Sequence, residues 1–259
     1  GGEINRSPGT NPLLADSDGD QIADGYEVAN GSNPMDDLDL PAFAEVTWGA
    51  PGNITGTLAD FQTNGHLVQA WTGGTAPVSI SALGITFQPG YSLGARFTGY
   101  DPFARPGANA EYETLLNSGS FAGQSRFLEL TGLTDGEQYR VQFWIADTRA
   151  GAAANFELDT YDLSSPRVEV SGGVGDFAAN SGQFVTGTFT AQGDRQYIYI
   201  NSTVGSGGSQ YNAVMLHQLT GVPDPLVITA HGFNAGQYKI TIQGLDTTKS
   251  YKLRRSTDL

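Results

Sequence analysis

Beyond residue 40, short apolar–polar alternations are broken by clusters of Gly, Asn, Ser and Pro, a period-two pattern that predicts strands and turns. The clearest run is Tyr139 to Ala146, where alternation places Tyr139, Val141, Phe143 and Ile145 on one face and Arg140, Gln142 and Trp144 on the other. Similar runs cover 66–71, 85–87, 127–130, 155–161, 167–170, 184–190, 197–201 and 211–219. About nine strands fit two packed sheets, so residues 41–221 are expected to form an all-β sandwich or jelly roll. Asp135-Gly136 marks a turn into the central run. Val222-Pro223-Asp224-Pro225 then reads as a stiff linker. Runs at 226–230, 237–244 and 250–256 predict a small C-terminal β unit across 222–259. Its open edges would be completed by the sandwich or by another copy.

Residues 1–40 break the pattern: nine acidic residues face Arg6 alone, so the segment repels itself unless a cation binds. The acids are spaced. With Asp16 at loop position 1, Asp18, Asp20, Asp24 and Glu27 stand at 3, 5, 9 and 12, with the Ile22 carbonyl at 7. Alternate residues of a tightly wound loop point inward, and a Glu one turn into a following helix closes the sphere. Oxygen donors without nitrogen or sulfur select Ca2+ over transition metals, and many flexible ligands disfavour magnesium. The turn glycine usual at position 6 is Gln21 here, which shifts the strain toward Gly19. A short helix is expected over 23–30, ended by Gly31.

Gly9-Thr10-Asn11-Pro12-Leu13 recurs as Gly31-Ser32-Asn33-Pro34-Met35, followed by Asp36, Asp37 and Asp39. Together with the Asp-Ser-Asp-Gly-Asp run at 16–20, this resembles the bacterial form of thrombospondin type 3 repeats across residues 9–40. The resemblance implies that Asp16, Asp18, Asp20, Asp24 and Glu27 bind calcium in an arm with almost no apolar core, and that Asn11 and Asn33 mark unit boundaries. It implies a further, incomplete site at Asp36, Asp37 and Asp39, although Leu38 stands where Asp16 would repeat. Segments 130–150, 182–200 and 211–219 resemble β-sandwich domains of large secreted bacterial surface proteins, of the jelly-roll, carbohydrate-binding kind. The tail resembles the opening of a fibronectin type III-like module.

A net charge of −14 and a pI near 4.4 argue against nucleic-acid or anionic-membrane partners. No apolar run reaches the roughly 18 residues of a membrane span. The start, Gly1-Gly2-Glu3, reads as that of a processed piece. The absence of cysteine excludes disulfides and thiolate chemistry. Lys239, Lys249 and Lys252 all lie in the tail, so the sandwich has no amine for a Lys-Asn crosslink. His66, His217 and His231 lack zinc-site spacing. No G-x-S-x-G, H-E-x-x-H or phosphate loop is present, and the carboxylate pairs Glu111/Glu113 and Glu129/Glu157 read as surface acids, so no enzyme is expected. Trp144 with Arg140 and Gln142 composes a candidate sugar-binding face, a flat ring beside planar polar groups. The expectation is a non-catalytic, calcium-binding structural or adhesion protein of the cell surface or extracellular space. Such a subunit could assemble with copies of itself, as filament or surface layer, through terminal segments and edge strands. The alternative is a carbohydrate-binding module of a larger polysaccharide-degrading enzyme.

Overall fold

The computed structural model describes residues 14–20, 22–37, 39–41, 43–98, 107–146, 155–160, 167–171, 182–202, 208–220, 227–234 and 237–243. In chain order the elements begin with helix α1 (Asp24–Asn30), β1 (Thr47–Trp48), β2 (Gly52–Asn53), a 3-10 turn at Leu58–Asp60, β3 (His66–Thr72), β4 (Val78–Ile80), β5 (Ile85–Pro89) and β6 (Ala95–Thr98). Helix α2 (Ala110–Leu116) precedes β7 (Ser118–Ala122), β8 (Arg126–Thr131), β9 (Gln138–Ile145), β10 (Asn155–Thr160) and β11 (Val168–Ser171). There follow β12 (Gln183–Thr190), β13 (Arg195–Ser202), β14 (Ser209–Tyr211), β15 (Ala213–Gln218), β16 (Val227–Asn234) and β17 (Gln237–Gln243). The protein is all-β in class, as the alternation predicts.

The large sheet runs β1-β12-β9-β15-β3-β5-β4, with β2 also paired to β12; a second sheet runs β11-β10-β13-β8 and a third β14-β7-β6. Among the described residues pairing is antiparallel except for β3 with β5. The inward face of β9, with Tyr139, Val141, Phe143 and Ile145, packs on Leu128, Leu130, Leu158, Ile198 and Ile200 of the four-stranded sheet. This is the sandwich core. The opposite face of the large sheet is also covered: Trp144, Ala213 and Met215 pack with Phe61, Phe87 and, from α2, Tyr112, Leu115 and Leu116. Fully burying each such side chain contributes about 1.5–3 kcal/mol.

The run expected at 211–219 divides at Asn212, where the chain leaves the third sheet and enters the large one. Asn212 is fully buried; its Oδ1 accepts from the Ala146 amide at 2.7 Å, and its Nδ2 donates to the carbonyls of Leu116 and Ser118 at 2.8 and 2.9 Å.

Two compact units separate after Thr220. The second contains β16 and β17, an antiparallel hairpin pairing Val227 with Gln243 and Asn234 with Gln237. The third expected tail strand, 250–256, lies outside the described residues, as do Asn11, Gln21 and Leu38.

Candidate metal centre

The acidic loop is closed by its own backbone, the Asp24 amide donating to the Ala15 carbonyl at 2.9 Å. Three aspartates turn the chain inward. Asp16 Oδ1 accepts from the Gly19 amide at 2.7 Å, Asp18 Oδ1 from Asp20 at 3.2 Å, and Asp20 Oδ1 from Ile22 at 2.7 Å. Gly19 takes the left-handed turn, φ 84°, so the freedom normally supplied at position 6 sits at position 4. One carboxylate oxygen each from Asp16, Asp18 and Asp20 lies within 4.8 Å of the others.

Helix α1 closes the site. It ends on Gly31, φ 85°, whose amide returns to the Glu27 carbonyl, as the glycine predicts. Glu27 is fully buried, and neither of its carboxylate oxygens has a hydrogen-bond partner; Asp18 Oδ2 is likewise buried and unpartnered. Burial, with repulsion from Asp20, Asp18, Asp24 and Asp16, pushes the Glu27 carboxyl up to about 7. Burial also raises Asp18, against the opposing Asp20 amide. A buried carboxylate among like charges is costly alone, and a hard divalent cation removes that cost. These residues fit calcium: the donors are all oxygen, they converge from loop and helix, and the unpartnered oxygens belong to the closing Glu.

Asp24 plays a different part. Its two oxygens accept from the Ser17 amide and hydroxyl, both at 2.7 Å, so it braces the loop; the ninth position of calcium loops often reaches the ion through water. Asp36, Asp37 and Asp39, expected as a second site, are not brought together. All three are exposed, and Asp39 Oδ2 accepts from the Asn33 amide at 3.0 Å, bracing a turn.

The loop is seated on the sandwich, where the sequence suggests an arm with almost no core. Ile22 is fully buried against Tyr197 of β13, with Tyr26, Leu40, Phe43 and Phe127 around them. Tyr26 stacks on Phe43 at 6.1 Å between centroids and 4° between planes, Phe43 lies 5.0 Å from Tyr197, and the Arg195 guanidinium sits 5.1 Å from the Tyr26 ring. Arg195 in turn pairs with Glu129, which also accepts from the Tyr197 hydroxyl at 3.3 Å. Sequence reasoning missed this seat. The available signal was aromatic residues on outward positions of β8 and β13, where alternation alone predicts polar ones.

The sugar-facing trio is corrected outright. Trp144 is 0% exposed, Gln142 1% and Arg140 5%. The Trp144 ring lies 4.9 Å from Phe61 and 6.1 Å from Phe87. Gln142 accepts from the Gln62 amide at 3.0 Å and donates to the Asp60 carbonyl at 2.6 Å, while Arg140 donates to the Gln62 and Asn64 carbonyls, each at 2.6 Å. These side chains tie residues 60–64 across the sheet and offer no face for stacking. Of the carboxylate pairs, Glu111 accepts from the Ser81 amide and hydroxyl at 2.7 and 2.6 Å, and Glu157 pairs with Arg167 at 3.2 Å.

No protein-family model matches the chain, and no curated protein matches it. Among solved structures it is similar to the ANXUR1 extracellular domain of Arabidopsis thaliana (8% identity, TM-score 0.45, 59% of this chain and 48% of that one). It is similar also to a chain in the complex of the plant peptide RALF23 with FER and LLG2 (12%, TM-score 0.43, 59% and 48%). A third is Bacteroides uniformis beta-glucuronidase 2 (14%, TM-score 0.39, 58% and 17%). The chain spans about half the length of the plant chains, and likeness at this level assigns no function. Among the described residues no helix is long and apolar enough to cross a membrane.

Proposed function

We propose that this chain is a non-catalytic, calcium-binding structural or adhesion module of the extracellular space or cell surface, in which one calcium loop orders the N-terminal segment. The observation that carries the reading is Glu27, fully buried with both oxygens unpartnered beside the converging oxygens of Asp16, Asp18 and Asp20. Calcium at the millimolar level outside cells suits the roughly 10⁻⁴–10⁻³ M affinities of extracellular modules. Self-association by strand addition belongs to the same reading. The four-stranded sheet ends on β8, six residues long, whereas β1 and β4 at the ends of the large sheet have two and three. Short edges template poorly, so β8 is the edge that could pair with another copy.

Isothermal titration calorimetry with CaCl2 tests the reading. Wild type is expected to bind one ion at the first loop, with magnesium far weaker. Glu27→Gln is expected to lose at least about tenfold in affinity, since the closing ligand becomes monodentate and neutral. Absence of calcium heat in the wild type, with identical melting in calcium and EGTA, would end it.

A further inference from the structure

We infer that calcium binding and the seating of residues 14–37 on the four-stranded sheet are a single coupled equilibrium, a cation-controlled joint between acidic loop and sandwich; the inference rests on the calcium reading above. The loop's two contributions to the seat are its own seventh and eleventh positions. Ile22, whose carbonyl holds the seventh place in the ligand order, buries its side chain completely against Tyr197. Tyr26 precedes the closing Glu27 in α1 and stacks on Phe43 beneath the Arg195 guanidinium. The residues that set the ion's cage and those that meet the sandwich therefore alternate along one short stretch.

This stretch cannot be strained at one face without moving the other. Without a cation, Glu27 and the aspartates of the loop stand unneutralised around one point, and parting them by swinging α1 away from residues 16–20 works against the Ser17 bonds to Asp24 that tie loop to helix. That swing lifts Tyr26 off Phe43. Conversely, the aromatic seat holds α1 closed and presents Glu27 to the loop before any ion arrives, which lowers the ordering cost of binding. Linkage makes the effect reciprocal: whatever factor the seat adds to calcium affinity, calcium adds to seating. The sandwich residues Phe43 and Arg195 thus regulate a metal site to which they donate no ligand.

The test uses the whole 259-residue chain and CaCl2. Calorimetry on wild type, Phe43→Ala and Arg195→Gln is combined with hydrogen exchange of residues 22–30 in calcium and in EGTA. Phe43→Ala is expected to weaken calcium binding about tenfold, within the usual range of coupling between sites. Arg195→Gln should give a smaller loss that diminishes with salt. In the wild type, EGTA should accelerate exchange over 22–30; in Phe43→Ala, exchange there should remain faster even at saturating calcium. Should Phe43→Ala lower the unfolding midpoint of the sandwich itself, Arg195→Gln, whose side chain is partly exposed, decides the matter. Equal affinity in all three proteins, or exchange over 22–30 indifferent to EGTA while calcium still binds the wild type, overturns the joint and leaves the calcium site standing. A wild type that binds no calcium overturns both.

Discussion

Glu27 and His217 are both buried, and each reports a different side of the same physics. His217 is 2% exposed on β15, opposite Arg140 of β9; burial first, then the Arg140 and His66 charges, pull it down to about 4. The folded protein holds it neutral, so the unfolded chain binds the extra proton between about pH 6.5 and pH 4. Stability contributed by this group is complete above pH 6.5 and is lost as pH falls through that window, a change of about 3 kcal/mol. Urea denaturation at pH 7.5 and pH 4.5 checks the sign: the wild type should lose more stability on acidification than His217→Gln by roughly that amount. The convergence of Asp16, Asp18 and Asp20, proposed above with Glu27 as the calcium cage, is legible because it is local, its spacing written in consecutive residues. The role of Asp24 was not, since the Ser17 contact that occupies both its oxygens depends on how the loop closes.

At the scale of elements, alternation located the long strands because a period of two survives any packing partner. It could not say whether the second face of β9 meets water or a second layer. Trp144, Gln142 and Arg140 look like a surface in sequence and become an interior once α2 and residues 58–64 cover them. Short elements escaped for another reason: β1 and β2 have two residues each, too few to show a period, and their pairing with β12 is non-local. Helix α2 was missed although Asn109 caps it, accepting from the Tyr112 amide at 2.9 Å. Asn212, reading as a polar interruption in a strand, is the junction between two sheets. Asn212→Ala is expected to cost about 2–3 kcal/mol in denaturant unfolding, since it strands the buried Ala146 amide and two carbonyls. Asn212→Asp, which keeps the acceptor but loses the donors, should fall no closer to wild type than half that cost.

For the whole molecule, two compact units part after Thr220, beside the proline-flanked Val222-Pro223-Asp224-Pro225. The intimacy of loop and sandwich was not readable in the sequence, because the residues that join them, Ile22, Tyr26, Phe43 and Tyr197, are separated by up to 175 positions in the numbering and share no motif. The same arrangement fixes how the molecule answers to pulling. Tension entering from the N-terminal side meets first the aromatic seat and then β1, held by the Thr47–Thr188 and Trp48–Gly187 pairs. Tension entering from the other side meets the β16–β17 hairpin and, beyond it, β15, which is paired along both flanks with β9 and β3. One end is a fuse and the other an anchor. Releasing residues 14–46 would pay out roughly 110 Å of contour with the sandwich intact, and in a force-extension trace calcium should raise the load at which that first step occurs.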